Sequence, residues 1–269
     1  MNPLDTLFTT LRASGRKAFI PFLPAGDPDL AFTGDLLPRV AAAGASLIEV
    51  GFPFSDPIAD GPVIQASYTR ALANRVTLAD IFAMTRQAKE RGASCPIVAM
   101  ASYSLIWKKG PAAFIIEALA SGVVGAVVPD WPVEEAGELG AIARDLGFAL
   151  TLLVTPTTSP ERAAKVVAAC TGFVYVVSLV GITGQQATAA PSIEAMMARL
   201  RTMTDRPLCV GFGVSRPEHV KAFAPLCDGV IVGTALVKRL DGAGEPGHRA
   251  AAAEAVVELV RELASALPA

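Results

Sequence analysis

Three carboxylates stand close together in Ile48-Glu49-Val50-Gly51-Phe52-Pro53-Phe54-Ser55-Asp56-Pro57-Ile58-Ala59-Asp60-Gly61-Pro62. Glu49 lies in the apolar run Leu47-Ile48-Glu49-Val50. There its charged form is disfavoured, so its pKa should rise toward the range where proton transfer is useful. A core ion pair is the ordinary alternative, but no arginine stands near it in the sequence. Asp56 and Asp60 occur in Ser55-Asp56-Pro57 and Ala59-Asp60-Gly61, and each taken alone is turn chemistry. Glu49 precedes Asp60 by eleven residues, across a loop stiffened by Pro53 and Pro57. A two-carboxylate acid–base site is the chemistry this spacing offers.

Two further stretches could bind a substrate. Gly211-Phe212-Gly213-Val214-Ser215 and Gly233-Thr234 each follow an apolar run, where glycines let backbone N–H groups approach an anion. Ordinary strand-to-helix turns have the same composition, but the two together favour a phosphate. Residues 178–191 are rich in Gly, Thr, Gln and Ala and contain Thr183-Gly184, a composition that suits a lid closing over substrate and equally an idle loop. No lysine stands at the end of an apolar run, where a Schiff-base enzyme would need one.

These residues need elements to hold them. Apolar runs at Ala18 to Leu23, Ser46 to Val50, Pro96 to Ala101, Gly125 to Val128, Phe148 to Val154, Phe173 to Val177, Leu208 to Val210 and Gly229 to Val232 read as buried strands. Helical segments alternate with them: Asp29 to Ala43, Pro62 to Ala73, Thr77 to Glu90, Gly110 to Ala120, Val133 to Leu146, Ser159 to Ala169, Ser192 to Arg201, Ser215 to Phe223 and Arg249 to Leu263. Leu4, Leu7, Phe8 and Leu11 add an N-terminal amphipathic helix. Eight βα units without a composition break predict one domain over residues 1–269, a (β/α)8 TIM barrel with an extra N-terminal helix. An open doubly wound sheet is the competitor, but the first βα turn, Pro24-Ala25-Gly26-Asp27, lacks its Gly-rich fingerprint. In a barrel, Glu49 comes to the catalytic end of strand two, pointing inward like Leu47.

The bulk properties exclude other classes. Net charge is −2, and the 23 Lys and Arg are scattered, so no nucleic-acid surface is expected. Mean hydropathy is high at +0.46, yet no run is long and apolar enough for a membrane span, and no signal peptide is expected. Four isolated cysteines read as buried hydrophobes of a reducing compartment, the cytoplasm, and two distant histidines offer no metal site.

The stretch from Glu49 to Gln65 closely resembles the signature of the tryptophan synthase α chain family. The resemblance extends to Pro21-Phe22 with Gly26-Asp27-Pro28, to Val128-Pro129-Asp130 with Pro132, to Thr183-Gly184 and to Gly211-Phe212-Gly213-Val214-Ser215, so it covers essentially the whole chain. It implies cleavage of indole-3-glycerol phosphate to indole and glyceraldehyde 3-phosphate by Glu49 and Asp60, without metal or imine. Glu49 would serve as acid and base, and Asp60 would accept from the indole N–H, reaching its place when the lid closes. Phe22 and Tyr175 match indole-pocket positions. Gly184, Gly211, Gly213, Gly233 and Thr234 match the phosphate-binding segments, and Thr183 the lid residue.

The resemblance also implies a pyridoxal-phosphate-dependent β chain as partner in an αββα heterotetramer, with no cofactor in this chain. Pro53, Asp56, Pro57, Ser104, Trp131 and Pro132 would face that partner. Ser102 and Ser104 stand where the family commonly has Tyr and Asn, Pro24 where Thr is usual, and Leu179 at an often basic lid position. A stand-alone lyase, an isomerase or epimerase on the same barrel, and a non-catalytic barrel that only activates a β chain are the rival readings.

Overall fold

A computed structural model describes residues 2–178 and 193–268. In chain order, α1 (Pro3–Ala13) precedes β1 (Ala18–Pro24), α2 (Leu30–Ala42), β2 (Ile48–Gly51), α3 (Pro62–Ala73), α4 (Leu78–Glu90) and β3 (Ile97–Met100). There follow α5 (Tyr103–Lys109), α6 (Pro111–Ala120), β4 (Val123–Val127), α7 (Gly137–Asp145), β5 (Ala149–Thr151), β6 (Leu153–Val154), α8 (Pro160–Ala169) and β7 (Val174–Val177). After α9 (Ile193–Arg201) come β8 (Leu208–Gly211), α10 (Pro217–Phe223), β9 (Gly229–Val232), α11 (Thr234–Val237) and α12 (Arg249–Ala264).

All strand pairs are parallel, in the order β5-β4-β3-β2-β1-β9-β8-β7-β6. β5 and β6 are halves of one barrel strand interrupted at Leu152, so the sheet curls round and meets itself there. Leu152 N donates to Cys170 Sγ at 3.2 Å rather than to a neighbouring strand, which accounts for the interruption. The expected barrel of eight strand positions is therefore present, with the fifth split in two.

Side-chain alternation sorts two cores. Ala18, Ile20 and Phe22 of β1, Val98 and Met100 of β3, Tyr175 of β7, Cys209 of β8 and Ile231 of β9 fill the barrel interior. Their neighbours Phe19, Leu23, Ile48, Val50, Ile97, Ala99, Val174, Val176, Leu208, Val210, Val230 and Val232 pack outward against the helices. That two-residue period is the pleat of the strand.

Helix α1 closes the N-terminal end. Asn2 and Asp5 form a capping box, and the Asn2 side-chain amide donates to Val124 O and Gly147 O at 3.0 and 2.7 Å. Leu4 and Phe8 then enter the interior cluster, Phe8 tilted against Phe173. Thr77 and Asp80 cap α4 reciprocally, Asp doing the work of the usual Glu.

Several segment boundaries differ from expectation. Gly110, at φ 91°, starts α6 as expected, but it also ends α5, a helix that was not anticipated. The expected helix from Val133 to Leu146 is a 3-10 turn (Val133–Glu135) followed by α7. Ser215 is not the cap of α10, which starts after Arg216 because Pro217 supplies the preorganised first turn. The expected cap at Ser192, with Thr183, Gly184, Leu179 and the lid, lies outside the described residues.

Candidate active site

β2 carries Glu49 into the barrel between Phe22 of β1 and Val98 of β3, its register partners. The residue is 0% exposed, and among the described residues neither carboxylate oxygen has a hydrogen-bond partner. Without a donor to favour the anion, burial first and the Asp60 charge second push its pKa up to about 8.

Asp60 closes the loop after β2, and Gly61 and Pro62 start α3 immediately behind it. Gln65 Nε2 donates to the Asp60 carbonyl at 2.7 Å, fixing the backbone, and among the described residues the carboxylate accepts no hydrogen bond. Burial and then the charge of Asp130 raise Asp60 to about 6. Asp130 itself accepts from Ser102 Oγ at 2.5 Å and from Tyr103 N at 2.8 Å, so it caps α5 and fixes a negative charge beside the site. Asp60 lines the cavity described next, and the lid expected to close toward it lies outside the described residues.

A cavity of about 410 Å³ joins these groups at the C-terminal mouth. Phe22, Ile64, Met100, Tyr175, Phe212 and Ile231 form its apolar walls, with Glu49 and Asp60 among them. Gly213, Gly233 and Thr234 also line it, with the exposed Lys238. Phe212 and Gly213 adopt consecutive left-handed conformations, φ 72° and 80°, a turn that exposes adjacent backbone N–H groups. Ser178 Oγ donates to Gly211 O and Phe212 O and holds this turn.

Gly211 does not line the cavity. A Cβ there would stand 2.3 Å from Tyr175 Oη, so its role is to seat the tyrosine. Tyr175 packs edge-on against Phe212, their centroids 6.0 Å apart.

The partner-facing residues divide. Asp56, Ser104 and Pro132 are exposed, and Pro57 is half-buried. Pro53 and Trp131 are buried, Trp131 beneath a stacked Tyr103 at 5.4 Å, so neither presents its side chain outward as expected. Ile58 and Trp107, 74% and 60% exposed, present apolar surface instead.

Tyr68, Asp130 and Lys238 were not among the expected site residues, although Asp130 belongs to the Val128-Pro129-Asp130 stretch of the resemblance. Tyr68 follows Ile64 at helical spacing on α3 and shares its inward face, a signal that was available. Lys238 follows the Gly233-Thr234 turn by one helical turn, and no sequence pattern marks which way it faces.

The parallel strands, surrounding helices and carboxylate-lined mouth define a (β/α)8-barrel protein with its candidate site at the C-terminal ends of the strands. A family model described as tryptophan synthase alpha chain matches residues 8–267, and the chain belongs to that family. It is 44% identical to the tryptophan synthase alpha chain of Rhodopirellula baltica over 247 residues, covering 91% of this chain and 89% of the relative. With that of Synechocystis sp. it shares 47% over 243 residues, 89% of this chain and 91% of the relative. Among solved structures, tryptophan synthase subunit alpha from Legionella pneumophila superposes with a TM-score of 0.88 at 32% identity, covering 99% and 98% of the two chains. An aminoacrylate-bound tryptophan synthase from M. tuberculosis gives 0.86 at 30% identity, over 100% of both chains.

Proposed function

We propose that Glu49 and Asp60 carry out the retro-aldol cleavage of indole-3-glycerol phosphate to indole and glyceraldehyde 3-phosphate, the lyase half-reaction of tryptophan synthase. One observation carries the assignment of roles. Two carboxyl groups share one cavity, and their environments separate them to about 8 and about 6. At neutral pH Glu49 is a protonated acid and Asp60 mainly an anion.

Cleavage needs that pair. Glu49 delivers its proton to C3 of the indole ring, while Asp60 accepts from the ring N–H and stabilises the positive charge that develops. The Glu49 carboxylate then takes the proton of the adjacent glycerol hydroxyl. The carbon–carbon bond breaks, its electron pair returns to the ring, and the hydroxyl carbon becomes the aldehyde. Glu49 ends protonated as it began, so the cycle needs no external proton. Phe22, Tyr175, Ile64 and Met100 supply the apolar walls for indole. Gly213, Gly233 and Thr234 receive the phosphate, with Gly184 contributing from the segment outside the described residues, where Thr183 serves as the lid residue. Lys238 adds a cation at the same end.

The wider reading is a cytoplasmic single-domain α subunit docked on a β chain in an αββα assembly. Pyridoxal phosphate belongs to that partner, and no cofactor is assigned to this chain. The exposed Ile58 and Trp107, with Asp56, Pro57, Ser104 and Pro132, support one docking rim.

Indole release from indole-3-glycerol phosphate, measured for the full chain and for Glu49→Gln, tests the chemistry. The general acid–base contribution predicts a loss of about 10²–10⁴-fold in turnover. A chain that releases no indole, alone or with a cognate β chain, would be a scaffold, and the proposal would be wrong.

A further inference from the structure

Tyr68 is a buried phenol that the cleavage scheme leaves unused. It sits on α3, the helix that starts directly behind Asp60. That helix is pinned on either side of it. Ser67 Oγ donates to Asp27 Oδ2 at 2.6 Å, and Arg70 donates to both Asp27 oxygens at 2.9 and 2.7 Å. The tyrosine is 3% exposed and is held where its helix puts it.

Its hydroxyl can be located from a neighbouring glycine. Gly51 lies two residues beyond Glu49 on β2, so both face the barrel interior. A Cβ on Gly51 would stand 2.5 Å from Tyr68 Oη. The phenol oxygen therefore occupies the layer above Glu49, in space that only a glycine leaves open. The same side chain lines a small cavity of about 20 Å³ together with Asp60, Ser102 and Asp130, room for about one water molecule.

Buried tyrosine hydroxyls ordinarily find a partner. This one makes no hydrogen bond to the described residues, and neither do the carboxylate oxygens of Asp60 and Glu49. Three polar groups with unused hydrogen-bonding capacity thus converge on one mouth, and of the three only the phenol is a donor at every working pH. Burial, then Asp60, then Glu49 push its pKa well above that of an ordinary tyrosine, so it stays protonated.

We propose that Tyr68 is a positioning residue for the cleavage reaction: its hydroxyl, directly or through one water, donates to the Asp60 carboxylate and keeps that group aimed at the indole nitrogen. The inference rests on the cleavage chemistry proposed above. The groups facing Asp60 are Glu49 from β2, Asp130 from the loop after β4, Tyr175 from β7 and Tyr68 from α3; the cations Lys238 and Arg239 lie at the cavity rim. Burial and the Asp130 charge favour a protonated Asp60, and a neutral donor opposes them.

Tyr68→Phe in the full chain tests this, because it removes the oxygen and keeps the ring. The resting structure loses no hydrogen bond, so the thermal midpoint should stay within about 2 °C of the wild type. With indole-3-glycerol phosphate as substrate, kcat should fall about tenfold with KM within about twofold, as expected for losing one hydrogen bond to a charged group in the transition state. The acidic limb of the kcat profile should move about half to one pH unit higher, since the anion has lost a donor. A Tyr68→Phe enzyme with an unmoved acidic limb would make Tyr68 a packing residue and overturn the proposal, whatever its kcat. Should the wild type itself release no indole, the cleavage chemistry falls and takes this inference with it; an active wild type matched by Tyr68→Phe rejects the inference alone.

Discussion

Replacing Glu49 with glutamine should make the protein more stable while stopping its chemistry. The carboxyl group is fully buried, has no hydrogen-bond donor among the described residues, and is pushed up to about 8 from an ordinary 4.5. Below about 4.5 both the folded and unfolded chains hold the proton, and the group costs nothing. As the pH rises from there, the unfolded chain ionises and the folded chain does not, so stability is lost steadily until about 8 and is flat beyond. At ~1.4 kcal/mol per pH unit, that interval amounts to about 5 kcal/mol, of which about 3 is already lost at pH 7. Glutamine has nearly the same shape and does not ionise. Denaturant unfolding of wild type and Glu49→Gln between pH 5 and 9 is the assay. The stability difference should grow in favour of the variant as pH rises and level off above about 8. A difference that does not change with pH would refute the placement of Glu49 as a buried acid, even if the variant were inactive.

The pH dependence of kcat/KM should be bell-shaped, rising as the pair loses its first proton near 6 and falling as it loses the second near 8; a flat profile across that range would contradict the two roles. Lys238→Ala should raise KM about three- to tenfold and leave kcat nearly unchanged, with a penalty that shrinks in steady-state assays at high salt; an effect on kcat alone would remove Lys238 from phosphate binding. Arg70→Ala leaves Asp27, 1% exposed, with only Ser67 as donor. After allowance for the exposed guanidinium it should cost about 2 kcal/mol, read as a fall of about 4–8 °C in thermal midpoint.

The alternation of short apolar runs with helical segments made the barrel legible, because burial on both faces requires near-continuous Val, Ile, Leu and Ala in a parallel strand. Glu49 stood out for the same reason, as one acid inside such a run. What the sequence did not reveal were features set by contacts between distant segments. The break at Leu152 arises from a thiol on the far side of α8, and no local propensity encodes it. Gly110 looked like a helix start, but its positive φ also separates α5 from α6. Trp131 looked like exposed aromatic surface until Tyr103 covered it. The spacing of Tyr68 from Ile64 marked its face of α3 but not its place beside β2, because the feature that admits its hydroxyl is an absence, the missing side chain of Gly51.

Helix α1 determines how traffic through this molecule must run. With Leu4 and Phe8 inserted into the interior and Asn2 hydrogen-bonded across two loops, the N-terminal end is stoppered, and the barrel is a cul-de-sac. Substrate and both products then share the C-terminal mouth. On the proposed chemistry, a small apolar product formed beside Glu49 at the bottom of that mouth would have the phosphorylated one above it. Departure is therefore ordered by position, unless the apolar product leaves sideways past Asp60, where Phe52, Phe54 and Pro57 line the small cavity toward the docking rim. A partner seated on that rim would decide which of the two products leaves first.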